Sequence, residues 1–221
     1  NGGDMSFFDL SVLLEEMGRA CLPGPFFSTV ILGGMTILDV GSEAQKELIL
    51  PQIANGKLTM SLALTEPAGT YTPSGITVTA VPDGNDFVLN GTKLFVADAN
   101  SADYMICAVR TKAGSSSNGI TLFLVDAKSA GITITMLQTI AADKQSEVVF
   151  NNVRVPKENI LGELDSGWET IERLLERAAV GKCAEMVGGA QQVLEMTIEY
   201  AKERHQFDRP IGSFQAVQHH C

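Results

Sequence analysis

The stretch from Ser61 to Gly75, SLALTEPAGTYTPSG, holds the first residues that could do chemistry. A short apolar run stops at Thr65, and Pro67 then ends regular pairing because proline lacks the N–H that a central strand needs. The pattern indicates a strand end that opens onto a Gly- and Thr-rich loop. Backbone N–H groups and the Thr65 hydroxyl could there face a flat polar ligand. An ordinary surface turn is the alternative interpretation of the same residues.

A carboxylate within a long helical pattern is the second candidate. Glu176 heads a largely small and apolar stripe at helical spacing. The stripe continues through Ala179, Val180, Cys183 and Val187. We predict that Glu176 is partly desolvated, a setting that suits a general base. The alternative is a solvated glutamate on a charged face with Glu169, Glu172, Arg173 and Arg177, whose side chains form i,i+4 pairs.

A third candidate is Arg204, in the segment YAKERHQF at 200–207. A guanidinium group is planar and can hold an anion through two charge-assisted hydrogen bonds. A cation near a helix C-terminus can instead simply complement the helix dipole. From the residues alone, both interpretations stay open.

Composition excludes several classes of partner. The 221 residues include 16 Lys and Arg against 26 Asp and Glu, a formal net charge of −10, which argues against binding nucleic acid or anionic membrane surfaces. No apolar run approaches the roughly 20 residues that span a bilayer. The four cysteines and three histidines show no metal-ligand spacing, so no metal site is predicted. Reduced thiols indicate the cytoplasm, or the mitochondrial matrix in a eukaryote.

Helical spacing occurs at both ends of the chain. Apolar periodicity predicts helices over 6–20 and 27–38, and a capping box at Ser42 predicts a third helix that fails near Pro51. No proline interrupts residues 168–204, which predicts one or two long helices there.

In the middle of the chain, apolar residues recur with the shorter period that is typical of strands. The predicted strands are 58–64, 76–81, 86–93, 104–110, 120–126, 132–136 and 146–155. Short strands without helices between them predict an antiparallel barrel or sandwich. The predicted domains are residues 1–56 (helical), 57–161 (β) and 162–221 (helical).

Four ordered motifs resemble those of the acyl-CoA dehydrogenase family. They are LALTEP at 62–67, NGTKLFV at 90–96, VFNNVRVP at 149–156 and YAKERHQF at 200–207. The resemblance implies an α+β multi-domain fold with a helical lobe, a middle β-domain and the first long helices of an incomplete bundle. Compared with that family, parts of both helical domains are missing, so the chain is expected to be a fragment that is inactive alone.

The resemblance also assigns roles to residues. It implies FAD as cofactor, contacted by Leu62, Leu64, Thr65, Phe95, Ala97, Arg204, Gln206 and Phe207. It places a catalytic base at Glu176, with Tyr71 and Arg177 near the acyl-CoA substrate. Ala97 departs from the family pattern because a threonine hydroxyl is usual there, and Tyr71 stands where a serine is usual. The commoner position of the base lies downstream of Cys221.

The function implied is α,β-dehydrogenation of an acyl-CoA, with electrons passed to an electron-transfer flavoprotein and with dimers or tetramers formed through the C-terminal helices. An acyl-CoA oxidase is an alternative within the same fold. A non-catalytic subunit of a hetero-oligomer is an alternative of another class. The third alternative is an acidic domain of strands and helices that binds no cofactor.

Overall fold

Helices flank a central set of strands along the chain. The computed structural model describes residues 6–221, which form two units: residues 24–178, and residues 6–23 together with 179–221. The helices are α1 (Phe7–Arg19), a π-helix (Phe27–Gly34), α2 (Met35–Val40), α3 (Glu43–Ala54), α4 (Gly167–Glu203) and α5 (Gln215–Gln218). The predicted domain limits stay a prediction, and the first five residues of the N-terminal domain lie outside the described residues.

The strands follow the predicted runs closely. They are β1 (Met60–Ala63), β2 (Thr79–Asp83), β3 (Asp86–Ala97), β4 (Tyr104–Arg110), β5 (Ile120–Asp126), β6 (Ile132–Met136), β7 (Gln145–Pro156), β8 (Ile160–Leu161), β9 (His205–Gln206) and β10 (Arg209–Pro210). Seven of them match a predicted run, three with the predicted bounds.

The capping box at Ser42 is confirmed. The Gln45 N–H donates to the Ser42 hydroxyl at 3.3 Å, and the Ser42 N–H donates to the Gln45 side-chain oxygen at 2.8 Å. The predicted end near Pro51 is wrong, because α3 continues to Ala54. Proline removes one helical hydrogen bond, but the Pro51 carbonyl still accepts from the Asn55 N–H at 3.1 Å and closes the last turn.

The second predicted helix is in fact two elements, since the π-helix comes before α2. Thr29 of the π-helix contacts the sheet directly. The Met60 N–H at the start of β1 donates to the Thr29 hydroxyl at 3.0 Å. This bond fixes the first turns of the helical segment to the strand that leads into the candidate loop.

The middle sheet is mixed rather than purely antiparallel. Its strand order is β6-β7-β3-β2-β4-β5-β8, and β1 pairs with β4 off this path. Both β1 and β2 run parallel to β4, because long connections return the chain in the same direction. The prediction was an antiparallel barrel or sandwich; within the described residues the strand path does not close, so the barrel alternative is wrong. The predicted sequence of helical lobe, β-domain and long helix is confirmed.

Strands β4 and β5 are buried on both faces. Along β4, Met105, Cys107 and Val109 lie in one apolar cluster, whereas Ile106 and Ala108 lie in the other. Burial on both faces explains why these strands read as continuous apolar runs rather than as alternating ones. Burial also raises the pKa of the Cys107 thiol to about 12.

In the second unit, α1 crosses α4 with direct backbone contact. A Cβ atom at Gly188 would overlap the Glu15 carbonyl oxygen, and one at Gly18 would overlap the Glu185 carbonyl oxygen. Near this crossing Arg19 and Glu195 form an ion pair, with Arg19 Nη1 donating to Glu195 Oε1 at 3.0 Å. This hydrogen bond lowers the pKa of Glu195 to about 2.

The crossing makes a testable prediction about glycine. On an unobstructed helix, Gly→Ala raises stability by about 1 kcal/mol. At Gly188 the overlap reverses the sign, and we expect Gly188→Ala to lower the free energy of unfolding by about 1–3 kcal/mol. Gly189→Ala is the matched control, because its Cβ would meet Gly18 only at an ordinary 3.5 Å. Urea denaturation of both variants measures the difference, and equal stabilities would contradict the prediction.

The described residues hold no candidate for a membrane-spanning helix or for a metal site. None of their helices combines the length and the apolar character that crossing a membrane requires. Likewise, residues 6–221 contain no group of three or more His, Cys, Asp or Glu side chains placed to hold a metal ion.

Candidate functional site

Two hydrogen bonds join the end of β1 to the end of β3. The Leu94 N–H donates to the Thr65 carbonyl oxygen at 2.8 Å. The Ser61 hydroxyl donates to the Ala97 carbonyl oxygen at 2.5 Å. The structure thus brings together five of the residues assigned to the cofactor: Leu62, Leu64, Thr65, Phe95 and Ala97.

Thr65 keeps its own donors available. The residue is half-buried, and in the described part of the chain neither its backbone N–H nor its hydroxyl donates a hydrogen bond. A half-buried donor that lacks a protein partner is stabilised when a ligand supplies an acceptor. Two such donors beside the apolar Leu62 and Leu64 fit the polar edge of a flat aromatic ring.

Phe95 presents its ring to solvent from a strained position. Its φ angle is +54°, in the left-handed region that bulky residues rarely adopt. The register of β3 against β7 shifts between Lys93 and Val96, as at a β-bulge, and a bulge re-aims a side chain. With 54% of its surface exposed, the Phe95 ring is free to stack on a planar ligand.

A buried ion pair, which the sequence analysis missed, supports this corner. Lys93 Nζ lies 2.6 Å from Glu66 Oε1, with side-chain exposures of 0% and 2%. Lys93 Nζ also donates to the Leu64 carbonyl oxygen at 3.1 Å. The Thr77 N–H completes the shell of the carboxylate by donating to Glu66 Oε2 at 2.8 Å. The available signal was a glutamate just after the apolar run at 62–64 and a lysine just before the apolar run at 94–96.

Glu66 and Lys93 each shift the pKa of the other. Burial alone would raise the pKa of Glu66, but the Lys93 charge and the hydrogen bonds from Lys93 and Thr77 outweigh it and hold the pKa below its usual value. Burial lowers the pKa of Lys93, and the Glu66 charge opposes that change.

Glu176 lies on the exposed side of α4, so its predicted desolvation is wrong within this chain. Ile171, Leu174 and Ala178 form the buried stripe of the helix. Glu176 is two residues, about 200°, around the helix from Leu174. Arg177, assigned to the substrate, forms an ion pair with Asp39 of α2 at 2.8 Å, and both side chains are about one third exposed.

Hydrogen bonds from Arg110 stabilise the loop that follows Thr65. Arg110 is buried, and its Nε donates to the Ile76 carbonyl oxygen at 3.2 Å, while Nη1 donates to the Ser116 carbonyl oxygen at 2.8 Å. Tyr71 is exposed on the same loop. Within the described residues, no hydrogen bond or ion pair joins Tyr71 or Glu176 to the corner at Thr65.

A cavity of about 380 Å³ opens beside the loops that Arg110 ties together. Its lining residues are Pro73, Ser117, Asn118, Ser166, Trp168, Glu169 and Glu172. The Trp168 indole N–H donates to Glu172 Oε1 at 2.7 Å. Two carboxylates and no lysine or arginine line the cavity, so its charge does not favour a phosphate group.

In the second unit, a tight hairpin carries the remaining assigned residues. Gln206 pairs with Arg209, and the two turn residues Phe207 and Asp208 have φ angles of +54° and +61°. Positive φ at both positions is typical of a type I′ turn and leaves the Phe207 ring 85% exposed at its tip. Arg204 is exposed and forms no ion pair with the described residues, so its guanidinium is available to an anion.

Protein-family comparisons match the chain from one end to the other. Models of the N-terminal, middle and C-terminal domains of acyl-CoA dehydrogenases match residues 1–57, 61–153 and 165–221, in that order.

Curated relatives and solved structures agree with this match. A 3-(aryl)acrylate reductase of Clostridium sporogenes (strain ATCC 15579) is 35% identical over 93% of this chain and 56% of its own length. The caffeyl-CoA reductase-Etf complex subunit CarC of Acetobacterium woodii is 34% identical over 98% of this chain and 58% of its own. The structure of butyryl-CoA dehydrogenase from Megasphaera elsdenii superposes with a TM-score of 0.91 at 30% identity, over 99% of this chain and 58% of the other. The chain therefore spans a little over half the length of these proteins.

With three domain matches in the family's own order and a backbone that superposes on a solved member, the chain belongs to the acyl-CoA dehydrogenase family.

Proposed function

We propose that the protein is a FAD-dependent acyl-CoA dehydrogenase, which removes one hydrogen from each of the α and β carbons of an acyl-CoA thioester in fatty acid metabolism. Members of the family are FAD flavoproteins. The observation that carries the proposal is the corner at Thr65. There, two donors that have no partner among residues 6–221 and an exposed aromatic ring are held together by the bond between Leu94 and Thr65.

The chain offers groups for both halves of the cofactor. Thr65 would donate to the polar edge of the isoalloxazine ring, Leu62 and Leu64 would contact its apolar part, and Phe95 would lie against its face. Arg204, Gln206 and Phe207 would hold the nucleotide half of a FAD bound by a neighbouring subunit. An arginine suits the pyrophosphate because its planar fork can donate two parallel hydrogen bonds.

The protein's own chemical role is the movement of a proton. In this proposal the Glu176 carboxylate accepts the α-proton, with Arg177 and Tyr71 near the thioester. When bound, the flavin supplies the acceptor for the β-hydride. The exposure of Glu176 requires that bound substrate or another segment of protein removes water from it, because a general base works best out of bulk solvent. A base outside this chain is the alternative.

Electrons would leave to an electron-transfer flavoprotein. The name of the relative CarC, a subunit of a reductase-Etf complex, supports this choice of partner. The apolar side chains exposed on α4, among them Val187, Val193 and Met196, support assembly into a dimer or tetramer through the C-terminal helices. A location in the cytoplasm or the mitochondrial matrix stays a prediction.

A second candidate, a non-catalytic subunit that binds flavin or only provides surface, is favoured by two observations. Ala97 has no hydroxyl to offer the cofactor. Arg177 already has a partner in Asp39. Such a subunit would depend on the base of another chain.

Flavin content and reduction by substrate test the proposal. The purified gene product should be yellow, and an acyl-CoA added without oxygen should bleach the visible absorption of the oxidised flavin. Bleaching followed by rapid reoxidation in air would indicate an oxidase. A yellow protein that no acyl-CoA bleaches would favour the non-catalytic subunit, and a colourless protein that takes up no FAD would contradict both.

A further inference from the structure

Hydrogen bonds fix the backbone carbonyls next to the two Thr65 donors. The Leu64 carbonyl oxygen is taken by Lys93 Nζ at 3.1 Å, and the Thr65 carbonyl oxygen is taken by the Leu94 N–H at 2.8 Å. The N–H and hydroxyl of Thr65 have no partner among the described residues. Ligand acceptors that face these two groups are therefore favoured at this corner.

Lys93 reaches the Leu64 carbonyl only because a counter-charge lies beside it. An isolated ammonium group would not stay charged at a position with 0% exposure. Glu66 provides the counter-charge at 2.6 Å from Lys93 Nζ. Because Glu66 directly follows Thr65, its position also fixes the backbone on the far side of the two donors.

Glu66 is itself anchored to the segment before β2. The Thr77 N–H donates to Glu66 Oε2 at 2.8 Å, and the Val78 N–H donates to Glu66 Oε1 at 3.1 Å. The carboxylate therefore connects the end of β1, the middle of β3 and residues 77–78. No side-chain polar atom buried in the described residues lacks a partner, so this network is complete.

We propose that Glu66 and Lys93 are positioning residues that hold the N–H and the hydroxyl of Thr65 in place to donate to the acceptor atoms of the flavin edge. This proposal rests on the proposed function. A purely apolar pair of the same volume could fill the space equally well, but it would leave the Leu64 carbonyl without the donor that fixes it beside Thr65.

The test uses a double variant, because either single variant leaves a buried charge and can fail to fold. In Glu66→Gln/Lys93→Met, the introduced amide oxygen still accepts from residues 77–78, but the Leu64 carbonyl loses its donor. We expect the FAD dissociation constant to rise about tenfold, the worth of roughly one hydrogen bond, and the flavin absorption bands to shift. The matched control is Asp83→Asn/Arg154→Met, which also removes one charge of each sign from β2 and β7 but at an exposed ion pair.

A coupling measurement separates positioning from general stability. Thr65→Val should weaken FAD binding clearly in the native background and much less in the double-variant background, since the two changes act through the same contacts. Equal fold-changes in both backgrounds, or FAD binding by the double variant within twofold of wild type, would overturn the proposal.

Amide hydrogen exchange gives a readout without FAD. In the wild-type protein the Leu94 N–H should be protected and the Thr65 N–H should exchange quickly, and the double variant should lose protection at Leu94. Unchanged exchange at both amides would also overturn the proposal, even for a protein that binds no flavin. Native exchange in a wild-type protein that takes up no FAD would instead place the failure in the proposed function.

Discussion

Replacing Glu176 with glutamine should slow flavin reduction by a factor on the order of 10² to 10⁴, the usual contribution of a positioned general base. Glutamine keeps the shape of the side chain and can still form hydrogen bonds, but it cannot accept the α-proton. Substrate binding should therefore be nearly unchanged. Stopped-flow bleaching of the flavin by an acyl-CoA measures the rate, and its dependence on substrate concentration measures binding.

The control for this variant is Glu199→Gln on the same helix. Glu199 is exposed and pairs with Lys202 at 2.6 Å, a surface ion pair that contributes little to stability. Its reductive rate should match that of the wild-type protein. If Glu176→Gln also reduces at the wild-type rate, the base is a residue outside this chain or in a partner subunit.

Lys93→Met should lower the free energy of unfolding by about 3–5 kcal/mol, because it leaves the buried Glu66 carboxylate without its counter-charge. Removing both charges should cost much less, since a buried ion pair replaced by well-packed neutral groups is often nearly neutral. We therefore expect Glu66→Gln/Lys93→Met to recover most of the lost stability. Guanidinium denaturation, followed by circular dichroism, compares the three proteins.

This test depends on the order of the three free energies of unfolding rather than on any one value. A double variant that is less stable than Lys93→Met would show that the two side chains contribute independently. A loss below about 1 kcal/mol in Lys93→Met would indicate that water reaches the pair, as at an exposed salt bridge.

Local sequence patterns predicted the positions of most strands. The bounds of β4, β5 and β6 agree with the apolar runs at 104–110, 120–126 and 132–136. Each run is bounded by turn-forming residues, so neighbouring residues alone decide where the strand lies. The parallel pairing of β1 with β4 joins residues more than forty positions apart, as Met60 and Tyr104 are, and no local pattern carries that information.

In the candidate site, too, local motifs predicted some features, whereas others depend on long-range pairing. Thr65 and Phe95 were assigned from motifs, and the fold places their strand ends side by side. The partnership of Glu66 with Lys93 spans 27 positions and depends on the same long-range pairing. For Glu176 the helix itself was predicted correctly, but which side of α4 is buried depends on tertiary packing. The buried side is the one with Ile171 and Leu174.

Because Cys107 in β4 is buried, the rates at which the cysteines react with a thiol reagent report separately on the two units. The described chain exposes Cys21, Cys183 and Cys221, all in the unit formed by residues 6–23 and 179–221, whereas Cys107 lies in the core of the other unit. A thiol-specific reagent applied to the native protein therefore marks only the first three cysteines. Alkylation of Cys107 requires the β-sheet to open, because a buried thiol with a pKa of about 12 is almost never the reactive thiolate. Its modification rate consequently reports the opening of the sheet that holds the Thr65 corner.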